Sequence, residues 1–551
     1  MYKKAVLLLF LFSSILVADQ TPSPSTAKPV SEEYDTSKSP FDCVSAQHSF
    51  KLGHKILSYE SCTGTLKIKK DDKEAAKIFF TAYFLQGAEP SKDRPITFCF
   101  NGGPGSSAIW LHMGCLGPKR VVFQDLAFNP SPGRYQDNEY TLLDASDLVF
   151  VDPVSTGFSQ PEKDVDGSTF YSVEEDIASI AEFIRCFLTA KDRMSSPKYL
   201  LGESYGTIRI VGLANKLNND YFLSMNGLML VSSCLDMKTL QIGYASDLSY
   251  ALTLPSYAAT AHFHKMLSPE LQKKGLQELL AEVEDFAAND YTLALFQGTL
   301  LAPERMKEIS QRIASYTGLS EHYVEKANLR IDSMRYFKEL MRKDGRIVGR
   351  FDSRFVIPAG DLVDDITILD PTIISMGGCY ASAFLQYLRD DLQWKANAPY
   401  YIVNDKISSE WNWTTKSAPA GLGYLNFTDE LTQAVVKNPA LGVLFANGYY
   451  DLATPYMTAD YTVAHMIELP ASLRNNIEQH YYHAGHMMYV NEPSLAQLKR
   501  DLSSFIEKRN GSAFHGIPDT ATQVSDLPQS DLPLLSPLQK AEEEMEATSA
   551  H

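Results

Sequence analysis

Tyr199-Leu200-Leu201-Gly202-Glu203-Ser204-Tyr205-Gly206-Thr207 is the stretch that decides the fold. An apolar run ends in a G-x-S-x-G, and a helical segment from Thr207 to Leu217 follows at once. A serine between a buried strand and a helix sits on a sharp turn. Small residues two places before and after it relieve the crowding, and its hydroxyl is exposed at the helix N-terminus. The strand-turn-helix context makes Ser204 a candidate nucleophile; the bare five-residue pattern does not.

Other buried-strand patterns surround this one. Ile96–Phe100, Leu148–Val151 and Leu228–Val231 read as buried strands that end in loops, and two more, Val443–Ala446 and Ile477–Tyr482, appear late. Helical patterns lie between several of them, Val173–Leu188 for example. Alternating strands and helices predict a doubly wound, mostly parallel α/β sheet with helices on both faces. Thr65–Ile68 and Ala76–Leu85 read as earlier antiparallel strands. Between residues 236 and 427 the pattern turns mainly helical, as an insertion capping the sheet. Ser268-Pro269-Glu270 is a helix start, with Leu276, Leu279, Leu280 and Val283 at helical spacing after it. Ala302–Tyr316 and Ser333–Lys343 read as further helices, stopped by Gly318 and Gly345. The sheet domain is thus expected in two parts, 41–235 and 428–510.

The ends differ from the middle. Lys3 and Lys4 precede an apolar run from Ala5 to Val17, so residues 1–18 read as a signal peptide. Residues 19–40 are rich in Ser, Thr and Pro and read as a disordered linker. Residues 511–551 read as a disordered acidic tail, with seven acids and one lysine. The chain of 551 residues has a net charge of −17, from 67 acidic and 50 basic residues, and no basic block. Nucleic acid is therefore excluded as an expected partner. An exported protein is expected, in a periplasm, the extracellular medium or an acidic lumen, with no membrane contact after signal cleavage. The sequence leaves a homodimer open. Seven cysteines leave at least one unpaired. Cys43 and Cys62 flank a hairpin and are the expected disulfide, whereas Cys99 and Cys186 read as buried small hydrophobes. No Cys or His spacing points to a metal, and no cofactor is expected.

A serine nucleophile needs a base and a carboxylate to orient that base. In doubly wound sheets these arrive in the order Ser, acid, His, each after a strand. Asp451 leaves one late strand in Asn447-Gly448-Tyr449-Tyr450-Asp451, and His486 leaves the other in His483-Ala484-Gly485-His486. Asp460 is the rival acid; His480 and His483 are the rival bases. Asn101-Gly102-Gly103-Pro104-Gly105 follows an earlier strand, where a glycine loop commonly supplies half of an oxyanion hole.

With these residues in place, the chain resembles the serine carboxypeptidases, an α/β-hydrolase family of acid-active exopeptidases. The matching stretches begin with Phe100–Ser107, Leu116-Gly117-Pro118 and Asp152–Ser159. They continue with Gly202–Gly206, Gly448 with Asp451, and Ala484-Gly485-His486-Met487. The resemblance implies a peptide substrate cut by way of an acyl-enzyme, with Ser204 as nucleophile, His486 as base and Asp451 as its orienter. It implies an oxyanion hole from the backbone N–H groups of Gly103 and Tyr205. It assigns the substrate's terminal carboxylate to Asn101, Gly102 and Glu203, and the leaving-residue pocket to Met487. A glutamate binds a carboxylate only when protonated. The chain departs from the family at Cys115, where many members carry a glutamate bonded to the elbow's own. It also carries Cys99 in place of a tryptophan, Ser106 in place of a disulfide cysteine, and Tyr489 in place of a proline. Without an acidic partner, Glu203 is expected to ionise at lower pH. Acyl transfer or ester hydrolysis on small molecules is the alternative with the same triad; a non-catalytic protective or binding partner is the alternative without it.

Overall fold

The computed structural model describes residues 41–87, 93–241, 246–365, 370–415 and 424–511. The expected signal peptide, the linker and the tail beyond Gly511 lie outside the described residues. Nine strands form the path of the main sheet: β1 (Phe41–Leu52), β2 (Lys55–Lys70), β3 (Lys73–Leu85), β4 (Ile96–Phe100), β5 (Asp147–Val151), β6 (Lys198–Glu203), β7 (Gly227–Val231), β8 (Gly442–Gly448) and β9 (Ile477–Tyr482). Their spatial order is β1-β2-β3-β5-β4-β6-β7-β8-β9. The first three pair antiparallel, and β3 pairs antiparallel with β5. From β5 to β9 every pairing is parallel.

The central strands read as unbroken apolar runs because both faces are covered. Phe98, Leu200, Leu228, Leu230, Val443 and Phe445 point to one face, where helices Val173–Ala190 and Tyr205–Tyr221 pack. Cys99, Leu201, Met229, Val231, Leu444 and Ala446 point to the other, beneath helices Pro371–Asp390 and Glu492–Gly511. The split follows from the two-residue repeat of a strand.

Strand order reverses between β4 and β6. The chain leaves β4 toward β5 on one side and leaves β6 toward β7 on the other. The loops at the carboxyl ends of β4 and β6 therefore diverge, and such a reversal opens a crevice where open α/β sheets bind ligands. Phe100 pairs with Gly202 in register, so Asn101 and Glu203 emerge side by side at this point.

The stretch between β7 and β8 has two characters. Helices Leu248–Phe263, Leu276–Phe286 and Pro303–Thr317 build a separate core with Val283, Phe286, Ile309, Ile313 and Tyr316. Helix Pro371–Asp390 instead packs Met376, Tyr380, Phe384 and Tyr387 onto the sheet. The helix read from Ser268 onward is two: Pro269–Gln272 is short, and a second begins at Leu276 after Gly275. Gly318 and Gly345 end their helical turns in the left-handed conformation.

The structure bears on two cysteine expectations. Cys43 and Cys62, the expected pair, bring their sulfurs to 2.8 Å, inside ordinary contact distance and short of an S–S bond. The strand register sets Cys43 opposite Gly64 and Cys62 opposite Ser45, a diagonal pair. Cys186 is half-buried, with its thiol on Glu182 at 3.2 Å, because it lies at the edge of the helix's apolar face.

At the start of β5, Asp147 is buried and accepts from Arg193 at 2.6 Å, Arg94 at 2.8 Å and the Leu85 amide at 3.0 Å. Removing one member of a buried ion pair strands the other's charge, at about 3–5 kcal/mol. Asp147→Ala is expected to lower the denaturant midpoint strongly. Lys67→Ala breaks an exposed pair with Glu74 and is expected to leave the midpoint in place.

Candidate active site

Ser204 begins the helix Tyr205–Tyr221 with φ 59° and ψ −127°, a conformation that L-residues rarely adopt. Neighbouring backbone makes the turn possible only with glycines. A Cβ on Gly202 would stand 2.2 Å from the Gly206 carbonyl oxygen, and one on Gly206 would stand 2.8 Å from that of Phe100. The Ser204 hydroxyl makes no capping hydrogen bond to the helix it starts. The Tyr205 amide is in the first turn, where N–H groups lack intrahelical partners.

Asn101-Gly102-Gly103 lies against this turn. A Cβ on Gly102 would meet the Tyr205 nitrogen at 2.6 Å and Ser204 Cβ at 2.9 Å. Gly103 has φ 106°, so it is a glycine by necessity. Arg209 holds the loop from below. It donates to the Asn101 carbonyl at 2.7 Å and to Asp176 at 2.8 Å, and Asp176 also accepts from the Tyr205 hydroxyl at 3.1 Å.

Asp451 and His486 meet two strands away. His486 Nδ1 lies 2.7 Å from Asp451 Oδ2, and both residues are buried. The other carboxylate oxygen accepts from the amides of Ala453 at 2.7 Å and Thr454 at 2.9 Å. The Thr454 hydroxyl adds a bond to Oδ2 at 2.7 Å. With Nδ1–H given to Asp451, Nε2 is the basic nitrogen. Burial pulls the His486 pKa down, but the Asp451 carboxylate and Glu203 outweigh it, and the net shift is upward. Ser232, at the end of the intervening β7, donates to the His486 carbonyl at 2.7 Å.

The rivals stand elsewhere. His480 lies beside Asp501 and Glu478, and the His483 ring packs against Tyr449. Asp460 accepts from Tyr481 at 2.5 Å and Gln479 at 2.8 Å. Met487 is buried in the loop after β9, directly after His486 and in one apolar cluster with Met488 and Tyr489.

A clamp from the insertion was not read from the sequence. The His486 amide donates to the Phe351 carbonyl at 2.6 Å, and the Gly485 amide donates to Asp352 at 3.1 Å. Arg354 pairs with Asp352 at 2.6 Å and reaches the His483 carbonyl at 3.1 Å. A Cβ on Gly485 would meet the Phe351 oxygen at 2.3 Å, so the fit needs glycine. Asp352 and Arg354 lie in a polar stretch, Gly349–Arg354, with no periodic pattern; only the fold brings them to the histidine loop.

The sequence profile of the serine carboxypeptidases matches residues 53–499. The chain belongs to this family. Serine carboxypeptidase-like 38 of Arabidopsis thaliana is 27% identical over 250 residues, which cover 42% of this chain and 48% of that protein. The pheromone-processing carboxypeptidase of Saccharomyces cerevisiae is 29% identical over 182 residues, covering 32% of this chain and 23% of that protein. The chain thus spans about half or less of the length of the curated relatives it matches. Among solved structures, a prohormone-processing carboxypeptidase from Saccharomyces cerevisiae superposes with a TM-score of 0.50 at 16% identity. That match covers 82% of this chain and 91% of that one, and it supports the α/β-hydrolase fold.

Glu203, next to Ser204 in this serine carboxypeptidase chain, is buried. Asn101 Nδ2 donates to its Oε1 at 3.0 Å. Burial pushes its carboxyl up to about 7, against the opposing pull of His486, Tyr489 and Asn101. A second acid is not needed to hold the proton: the closed end of β6 does it by desolvation. Burial alone thus holds Glu203 above the ordinary carboxyl range at this position.

The clamp is testable through the serine. Arg354→Leu leaves the buried Asp352 without its cation and frees the histidine loop. Fluorophosphonate labelling of Ser204 is expected to slow by tenfold or more, on the order of 1.4 kcal/mol in the barrier, with a lowered melting temperature. A labelling rate equal to wild type would show that the histidine loop holds its place without the clamp.

Proposed function

We propose that this chain is an exported serine carboxypeptidase that releases C-terminal residues from peptides through an acyl-enzyme. The observation that carries the reading is the buried Asp451–His486 pair at the same end of the parallel strands as a strained, glycine-flanked serine, with a buried carboxyl, Glu203, next to that serine. Family membership and the apolar leader at residues 1–18 support it.

In this reading the Ser204 oxygen attacks the scissile carbonyl carbon as His486 Nε2 takes its proton. The carbonyl oxygen becomes an oxyanion and accepts from the amides of Gly103 and Tyr205. Collapse breaks the C–N bond, and His486 returns the proton to the leaving amine. Water then repeats the sequence on the ester, releasing the shortened peptide and restoring the serine hydroxyl. Asp451 holds the imidazole in one tautomer through its bond to Nδ1. Protonated Glu203, Asn101 and the Gly102 amide hold the terminal carboxylate, and Met487 borders the leaving residue.

Two outcomes check this. Ser204→Ala is expected to abolish both fluorophosphonate labelling and peptide hydrolysis, and equal labelling of the variant would remove Ser204 from the role. For a blocked dipeptide with a free carboxylate, KM is expected to be lowest at acid pH. It rises above about pH 7 as Glu203 ionises and repels the substrate. The C-terminal amide of the same dipeptide is expected to lack that rise, and Glu203→Gln, which keeps a donor but cannot ionise, is expected to lose it. Equal turnover of acid and amide at every pH would leave a hydrolase but not a carboxypeptidase.

A further inference from the structure

Near the elbow, two buried polar atoms stand without a hydrogen-bond partner of good geometry: Oε2 of Glu203 and Oη of Tyr489. Their residues are 4% and 3% exposed, so water does not readily serve either one. The two groups bear on each other, phenol on carboxyl. Buried polar groups are almost always paired, and hydrogen bonds in active sites are often long or misaligned before substrate arrives.

The packing explains how a tyrosine comes to this spot. Gly114 lies against it: a Cβ there would stand 2.6 Å from Cδ2 and Cε2 of the Tyr489 ring and 2.8 Å from the Tyr380 hydroxyl. The next residue is Cys115, where the resemblance to the family leads one to expect a second carboxyl. Its thiol is buried and held neutral, because burial pushes it up and Glu203 adds to the shift. A thiol is a weak donor. The groups facing Glu203 are therefore His486 and Asp451 from the strand ends, Asn101 from the loop after β4, and the neutral Cys115, Tyr380 and Tyr489.

We propose that Tyr489 is the hydrogen-bond donor to Glu203, a positioning residue that stands in for the family's second carboxyl. Two carboxyls share a proton and hold one of the pair neutral. A phenol does the opposite: it donates to Oε2 in either state and more strongly to the carboxylate. Tyr489 thus aims the carboxyl and favours its ionised form, setting the pH at which the elbow stops accepting a terminal carboxylate. That last clause rests on the reading of Glu203 in the proposed function; the hydrogen bond itself does not.

The deciding experiment titrates Glu203 directly. The carboxyl infrared band that vanishes in Glu203→Gln is followed against pH in the full chain, in wild type, Tyr489→Phe, Gly114→Ala and Cys115→Ala. Loss of the phenol removes a bond to the charged form, so the Tyr489→Phe midpoint is expected to rise by about one pH unit. Gly114→Ala, which pushes the ring away, is expected to move it the same way. Cys115→Ala is expected to leave it in place. Where free-carboxylate peptides are turned over, the rise in KM is expected to shift upward by the same amount, with kcat moving less. A midpoint that is unmoved or lower in Tyr489→Phe, or one that moves as far in Cys115→Ala, overturns the proposal. If no free-carboxylate peptide is turned over by any variant, the proposed function fails, and the infrared midpoints still decide Tyr489.

Discussion

The cleft depends on how closely backbone can approach backbone at the carboxyl ends of β4 and β6. Gly102, Gly202 and Gly206 each lack room for a methyl group, and their contacts are with main-chain atoms that cannot swing away. This closeness forces Ser204 into its strained turn and presses the Asn101 loop against the start of the helix. The reversal of strand order fixes where it happens, since only there do the loops part enough to admit a ligand. The helix Tyr205–Tyr221, the Arg209–Asp176 pair beneath it and the loop after β4 all take their positions from that contact.

Burial is the second determinant. The same closed environment acts differently on two neighbouring groups. His486 keeps an upward shift because the Asp451 carboxylate outweighs desolvation. Glu203 has no cationic partner close enough to do so, and desolvation dominates. One acid orients a base, while another keeps its proton to near neutrality. The insertion contributes more than a cover: Phe351, Asp352 and Arg354 tie the histidine loop to it, so the base is positioned by two parts of the chain at once.

Much of this was legible in the sequence. The apolar runs at Ile96–Phe100, Tyr199–Leu201 and Val443–Ala446 announce doubly covered strands, because a strand buried on both faces has no polar alternation to hide. The elbow could be read because its chemistry is local: strand, glycine, serine, glycine, helix. Asp451 and His486 could be ordered because each follows a strand. Other features escaped. Helix Pro371–Asp390 reads like the rest of the insertion, since an apolar stripe does not say which surface it meets. The break at Gly275 was missed because helical spacing continues across it.

The sequence by itself determined the α/β fold, the elbow, the order of the triad and the departures at Cys115 and Tyr489, all of them encoded in short-range pattern and residue type. Only the tertiary structure decided which histidine meets Asp451, which arginine steadies its loop, and that Glu203 is buried enough to hold a proton without a second acid. Those outcomes depend on distances between segments remote in sequence and on the exclusion of water. No local pattern carries either quantity.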